Sequence, residues 1–122
     1  DAVVVDVFHN GRKPFSKAAI RGMKFKKLGA RRLVFAYMNI GVAENYRYYW
    51  KNNWIEGEPA FISAPNRGNP DKFFVEYWRP GWRNIITGNT KSYIYGIVTQ
   101  GFDGVILDGL DSFKFFESGG NN

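Results

Sequence analysis

Three short apolar runs, each followed by polar residues, form the strongest pattern along the chain. They lie at residues 2–5 (AVVV), 33–37 (LVFAY) and 105–107 (VIL). A short continuous apolar run bounded by turn residues is typical of a strand buried on both faces, as in a parallel sheet. We therefore expect three buried strands, the last of which is flanked by glycines and ends at Asp108.

Helical patterns separate these three runs. Ser16 is a candidate N-cap, Ile20 follows at helical spacing, and Gly29 supplies a C-terminal stop. A strand, a helix and a second strand within ~35 residues form a βαβ unit, so the first two strands should be parallel. A second helical stripe begins near Pro80 and continues to Val98, shortly before the third strand.

The segment from residue 51 to residue 82 is predicted to be a long connection, because prolines are scattered through it. Within it, only residues 73–78 (FFVEYW) suggest a short extended segment. Long ordered loops in small domains are often lids or binding walls. The tail at residues 118–122 (SGGNN) is expected to be disordered, which leaves residues 1–117 as the domain.

Charged residues stand at the end of each predicted strand. Asp6 interrupts the first run, Glu44 and Arg47 follow the second, and Asp108 and Asp111 follow the third. In α/β barrels the carboxyl ends of the strands converge on one face and carry the catalytic groups. We therefore expect these side chains to line one pocket. Two alternatives stay open: Asp111 caps the next helix, or Glu44 and Arg47 form an i, i+3 pair at the surface.

Aromatic residues surround the second of these clusters. The stretch YRYYW contains Tyr46, Tyr48, Tyr49 and Trp50 beside the charged pair. Rings together with a carboxylate and a guanidinium suit a polar ligand that has hydroxyl groups and flat faces. The aromatic content of 18% agrees with carbohydrate binding, although a core rich in aromatic residues has the same composition.

Length and residue counts exclude several classes of protein. A chain of 122 residues is one domain at most, whereas a complete eight-stranded α/β barrel usually needs about 250. The absence of cysteine excludes a thiolate nucleophile and a cysteine-ligated metal. The single histidine, His9, cannot form a histidine-rich zinc site, so we expect no metal and no cofactor. No apolar run approaches the ~20 residues of a membrane span.

The net charge of +6 comes from one segment. Residues 12–32 contain nine basic side chains and no acidic one, whereas the rest of the chain is mildly acidic. Such a segment either binds nucleic acid or forms the solvated face of a helix. Because aromatic residues hardly interleave with these charges, we favour the solvated face and expect no nucleic-acid partner.

Two motifs resemble those of one known family. They are GVAENYRYYW at residues 41–50 and GFDGVILDGLD at residues 101–111, and the match covers nearly the whole chain. Both are similar to motifs of glycoside hydrolase family 114, the endo-α-1,4-polygalactosaminidases and related extracellular proteins. The resemblance implies an α/β fold of the (β/α)8 TIM-barrel type, of which this chain supplies about the second to fourth strands. It also implies endo-hydrolysis of galactosamine-containing polysaccharide, outside the cell or in the periplasm.

Site residues follow from the same resemblance. Asp108 falls on a catalytic carboxylate, and the motif positions around the cleft are Asp6, Glu44, Arg47, Tyr49, Trp50 and Asp111. Arg79 departs from the family, which commonly has an acidic helix cap at that place. The family's second catalytic carboxylate comes from a later strand. An alternative function is therefore a carbohydrate-binding module or fragment without catalysis, whose open sheet edges would favour self-association.

Overall fold

Eight strands and four helices make up the computed structural model, which describes residues 1–9, 12–25 and 29–120. In chain order they are β1 (Ala2–Asp6), β2 (Phe8–His9), β3 (Lys13–Pro14), α1 (Lys17–Met23), β4 (Leu33–Asn39), β5 (Val42–Glu44), β6 (Ile62–Asn66), β7 (Asn69–Val75), α2 (Pro80–Ile86), α3 (Tyr93–Gln100), β8 (Gly104–Asp108) and α4 (Phe113–Glu117), with a 3-10 turn at Leu110–Ser112. No helix among the described residues is long and apolar enough to cross a membrane.

The three predicted strands pair in one parallel sheet, in the order β1-β4-β8. Asp6 lies beside Tyr37 on β4, and Asn39 at the end of β4 lies beside Asp108. Because side chains alternate along a strand and match across a parallel pair, Asp6, Tyr37 and Asp108 project from the same face. The prediction of an α/β fold with parallel βαβ units is confirmed.

The core packs against the opposite face of this sheet. Ala36 and Met38 of β4 are fully buried there among side chains of the helices and of a second sheet. The other members of the cluster are Val7, Phe8, Ala43, Tyr49, Phe61, Ile62, Val75, Trp82, Tyr93 and Ile97. The Trp82 indole also donates a hydrogen bond to the Ile40 carbonyl at 3.0 Å, which ties α2 to the end of β4.

The face that carries Tyr37 is open to solvent among the described residues, so burial of these strands on both faces is not seen within this chain and would need cover from elsewhere in the protein. Val4 is 50% exposed, Leu33 43% and Ile106 44%. All three project from the face opposite the core. An apolar run marks a strand in the sequence, but it does not reveal which of the two faces other elements cover.

A second, antiparallel sheet occupies much of the predicted connection at residues 51–82. Its strand order is β5-β7-β6, so the hairpin of β6 and β7 folds back onto β5. Pro65 lies on the edge strand β6, and Pro70 lies on β7 beyond the residues that pair with β5. Both prolines occupy positions where a strand tolerates a missing amide donor. The extended segment predicted at residues 73–78 overlaps only the end of β7.

The basic segment is not a single helical face. The helix α1 ends at Met23, before the predicted stop, and its C-cap is Lys24. Lys24 and Arg31 instead pair with Asp103, at 3.5 Å and 3.0 Å respectively. Residues 26–28 of this segment lie outside the described residues. Part of the positive charge therefore neutralises an aspartate that precedes β8.

The second helical stripe is two helices, α2 and α3, rather than one. In the loop between them Gly88 has a φ of +96°, a conformation that favours glycine, and Ser92 caps α3. Ser16 caps α1 in the same way, as predicted. After α4, residues 118–120 are described and residues 121–122 are not, so the predicted disorder of the tail stays a prediction.

Gly41 lies where the connection from β4 to β5 touches the loop after β8. A Cβ atom at this position would lie 2.1 Å from the Gly109 carbonyl oxygen and 2.8 Å from Ser112 Cβ. We therefore predict that Gly41→Ala lowers the free energy of unfolding by about 1–3 kcal/mol, the usual cost of overpacking. Urea denaturation of the purified chain measures this change.

Gly22→Ala in α1 is the matched control, because no atom outside its own helix lies within 4 Å of the added methyl group. Alanine is the better helix former, so this change should raise the free energy of unfolding by about 0.5–1 kcal/mol. Identical denaturation curves for wild type and Gly41→Ala would show that the close contact with Gly109 is absent.

Candidate active site

Arg47 lies buried between two carboxylates. Its Nη1 donates to Asp6 Oδ1 at 2.7 Å, and its Nε donates to Glu44 Oε1 at 3.0 Å. The Arg47 and Glu44 side chains are each 2% exposed. Burial by itself would lower the pKa of Arg47, but the hydrogen bond to Asp6 and the charge of Glu44 raise it above the ordinary value. Arg47 therefore stays charged and joins the end of β1 to the end of β5.

Glu44 has a partner for each of its carboxylate oxygens. Oε1 accepts from Arg47, whereas Oε2 accepts from the Tyr46 hydroxyl and lies 3.5 Å from Lys72 Nζ. Burial and the hydrogen bond to Glu44 raise the pKa of Tyr46, so this hydroxyl keeps its proton. A buried carboxylate paired in this way is poorly placed to give a proton to a substrate. The i, i+3 pair of Glu44 and Arg47 thus forms, but in the interior rather than at the surface.

Asp108 ends β8 and accepts a hydrogen bond on each oxygen. The Tyr37 hydroxyl donates to Oδ2 at 2.6 Å, and the Gly109 amide donates to Oδ1 at 2.8 Å. These two hydrogen bonds, together with the charge of Lys72, hold the pKa of Asp108 below its usual value. Burial and the bond to Asp108 in turn raise the pKa of Tyr37 to about 12. At neutral pH Asp108 is therefore an ionised carboxylate.

A cavity of about 560 Å³ opens beside Asp108. Asp111 lines it from the 3-10 turn, the β6–β7 hairpin contributes Arg67 and Lys72, and Lys114 adds a third basic side chain. The lining also includes Asn39, Asn66, Phe74, Ser112 and Phe115. Two carboxylates, Asp108 and Asp111, therefore share the cavity with three basic side chains, so the lining is not uniformly acidic. Within the described ranges, no group of three or more His, Cys, Asp or Glu side chains is placed to hold a metal ion.

The structure places the predicted site residues in two neighbouring groups. Asp6, Glu44 and Arg47 share the buried network, whereas Asp108 lines the cavity. Lys72 connects the two groups, because it lies 3.5 Å from Glu44 and also lines the cavity of Asp108. All of these residues lie at the carboxyl end of the parallel sheet or in segments that follow it.

Tyr49 and Trp50 pack behind the network. Tyr49 is 8% exposed, its hydroxyl accepts a hydrogen bond from the Glu44 amide at 2.9 Å, and its ring lies 5.5 Å from that of Trp82. Trp50 lies 5.1 Å from the Phe73 ring. The Tyr49 ring belongs to the buried core, whereas Trp50 is partly buried and packs against that core. Contact of these two residues with a ligand, which the resemblance implies, stays a prediction.

Tyr37 and Lys72 are candidate functional residues that the sequence did not single out. Tyr37 lies near the end of an apolar run, between Ala36 and Met38, which are both buried. Because side chains alternate along a strand, this position was the available signal that Tyr37 projects from the face opposite the core. Lys72 had no such signal, because it lies on β7, within the segment whose prolines suggested a loop.

Comparison with known proteins shows to which family the chain belongs. The sequence profile of glycoside-hydrolase family GH114 matches residues 1–122, the whole of the chain. The chain belongs to this family. The family membership that the two motifs implied is confirmed.

Relatives of this GH114 chain occur in distant organisms. A protein of Methanocaldococcus jannaschii is 35% identical over 97% of the chain, and one of Deinococcus radiodurans is 33% identical over 93%. A protein of Thermotoga maritima is 39% identical over 70% of the chain. The chain covers 32%, 34% and 25% of these three proteins, respectively, so it spans about a third of their length or less.

A solved structure has a similar fold. The glycoside hydrolase domain of PelA from Pseudomonas aeruginosa matches 93% of the GH114 chain with a TM-score of 0.63 and 22% sequence identity. The chain covers 39% of that structure. At this level of identity the likeness shows a shared fold and carries no information about substrate.

We predict that Arg47→Met lowers the free energy of unfolding by about 3–5 kcal/mol, because it leaves the Glu44 charge buried without its arginine partner. Asp6 loses the same partner, but water reaches it because its side chain is 40% exposed. Chemical denaturation of wild type and variant measures the difference.

Arg79→Met is the matched control for this change. Arg79 forms an i, i+3 pair with Glu76 at 2.8 Å, but its side chain is 45% exposed. An exposed pair contributes about 0–1 kcal/mol, so this variant should unfold close to wild type. Equal losses of stability in the two variants would contradict the importance of burial for the Arg47 network.

Proposed function

We propose that this GH114 chain is part of an endo-acting, α-1,4-polygalactosaminidase-like hydrolase that cleaves galactosamine-containing polysaccharide. The observation that carries the proposal is the ionised Asp108 at the carboxyl end of β8, beside a cavity large enough for sugar units. The catalytic groups of α/β barrels lie at this end of the strands. The three parallel strands would be about the second to fourth of a (β/α)8 barrel.

Glycoside cleavage uses two carboxyl groups, one ionised and one protonated. Asp108 supplies one of the two. Glu44 is a poor candidate for the other because both of its oxygens are paired in the interior, whereas Asp6 is partly exposed and Asp111 lines the same cavity as Asp108. The family resemblance assigns the second carboxyl group to a later strand than β8.

The lining of the cavity suits a hydroxylated ligand. Asp111, Arg67 and Lys114 offer hydrogen-bond acceptors and donors to sugar hydroxyl groups. The rings of Phe74 and Phe115 stack on each other with centroids 4.0 Å apart, and both contribute apolar surface to the same cavity. A few polar groups beside an apolar wall are typical of sites that orient a small ligand or one unit of a polymer.

A second candidate function is a carbohydrate-binding module that keeps the cleft and lacks the chemistry. The observation that favours it is the lining of the cavity, whose polar side chains and apolar wall suit a sugar without any need for a second carboxyl group to react there. Release of reducing ends from an amino-sugar polymer separates the two functions, because a binding module releases none. By family resemblance, either function would operate outside the cell or in the periplasm.

We predict that, in an active longer form of the protein, Asp108→Asn lowers turnover of galactosamine polymer by about 10²–10⁴-fold and leaves binding largely intact. Asparagine keeps the shape of the side chain but cannot act as nucleophile, base or acid. Reducing-end assays give the turnover, and calorimetry with oligosaccharides gives the affinity.

Asp71→Asn is the control, because Asp71 is an exposed aspartate on β7 that does not line the cavity. It should hydrolyse the polymer at the wild-type rate. Activity of Asp108→Asn within tenfold of wild type would rule out a catalytic role for Asp108.

A further inference from the structure

Tyr37 reaches the Asp108 carboxylate from the central strand of the parallel sheet. Its hydroxyl lies 2.6 Å from Asp108 Oδ2, although 71 residues separate the two in the chain. The pairing of Asn39 with Asp108 at the ends of β4 and β8 places Tyr37 on the same face as Asp108. Two adjacent strands therefore hold the donor and the acceptor in register.

The Tyr37 hydroxyl is the donor in its hydrogen bond to Asp108, because an ionised carboxylate only accepts. Asn39 Oδ1 accepts from the amides of Gly41 and Val42, at 3.0 Å and 3.1 Å, which leaves the Asn39 amide group free to donate. The Asn39 side chain lies close enough to the Tyr37 hydroxyl to lower the pKa of that hydroxyl.

The other oxygen of Asp108 is held as well. The Gly109 amide donates to Oδ1 at 2.8 Å, so rotation of the carboxylate breaks at least one of its two hydrogen bonds. A reacting group that is already oriented loses less freedom when the reaction occurs. The carboxylate therefore has a defined direction before any sugar binds.

We propose that Tyr37 is a positioning residue that holds the Asp108 carboxylate oriented toward the sugar in the cavity and favours its ionised form. The inference rests on the proposed hydrolase function, and it assigns Asp108 the ionised role in the carboxyl pair. In that role Asp108 either bonds to the anomeric carbon or takes a proton from the attacking water. The proton that the departing glycosidic oxygen receives must then come from a different carboxyl group.

Titration of the side-chain carboxyl carbons by NMR tests this inference on the 122-residue chain. Tyr37→Phe keeps the ring and removes only the hydroxyl, so the pKa of Asp108 should rise toward that of an ordinary aspartate. Asp103 is the internal reference, because the Val34 amide is the main cause of its lowered pKa and does not change. Tyr46→Phe is the control variant, since Tyr46 donates to Glu44 instead of Asp108.

The pH dependence of hydrolysis is the second measurement. Because Asp108 must be ionised to act, its higher pKa in Tyr37→Phe should move the acidic limb of kcat/KM to higher pH. The displacement should match that of the NMR titration. A purely structural role for Tyr37 would instead lower kcat/KM by the same factor at every pH.

The reciprocal variant keeps the test decisive if Tyr37→Phe fails to fold. Asp108→Asn removes the carboxylate, so the pKa of Tyr37 should fall from about 12 toward the ordinary value of 10.0.

An unchanged Asp108 titration in Tyr37→Phe, or an equal shift of the Asp108 pKa in Tyr46→Phe, would overturn the inference. If a longer form of the protein that includes the later strands releases no reducing ends from any sugar polymer, the proposed function fails, and the titrations still decide whether Tyr37 favours the ionised form of Asp108.

Discussion

The buried ion network centred on Arg47 is the interaction on which the rest of the structure depends. It connects Asp6, at the end of the parallel strand β1, to Glu44 on the antiparallel strand β5. A guanidinium largely withdrawn from water is stable between carboxylates only when the geometry is good and further donors are present. The Tyr46 hydroxyl and Lys72 are such donors. Apolar packing is not directional, so the network adds a directional link between two sheets that also share the core.

The position of the antiparallel sheet in turn determines the surroundings of Asp108. The β6–β7 hairpin contributes Arg67 and Lys72 to the lining of the cavity. Lys72 belongs to both parts of the site, since it pairs with Glu44 and its charge also helps to lower the pKa of Asp108. A change that loosens the buried network would therefore also alter the charge next to Asp108.

The mixture of charges in the cavity bears on how a sugar polymer is recognised. Carboxylates alone would attract a cationic amino sugar, but Arg67, Lys72 and Lys114 line the same cavity and oppose that attraction. At physiological ionic strength, salt screens exposed charges that are more than about 8 Å apart. Both the attraction by the carboxylates and the repulsion by the basic side chains are therefore weakened. Under the proposed function, recognition of a sugar polymer would then depend mainly on hydrogen bonds to its hydroxyl groups and on apolar contact with the rings of Phe74 and Phe115.

The sequence by itself determined the three parallel strands and the acidic group at the end of the last one. Local composition is sufficient for that, because an apolar run with turn residues on both sides marks a strand wherever it pairs. Only the tertiary structure decided the second sheet, the burial of Glu44 with Arg47, and the hydrogen bond from Tyr37 to Asp108. These features arise from the pairing of strands far apart in the chain and from which face of a sheet is covered. The register between two strands, and whether other elements bury a given face of a sheet, depend on whole elements. A local pattern of residues therefore cannot predict either of them.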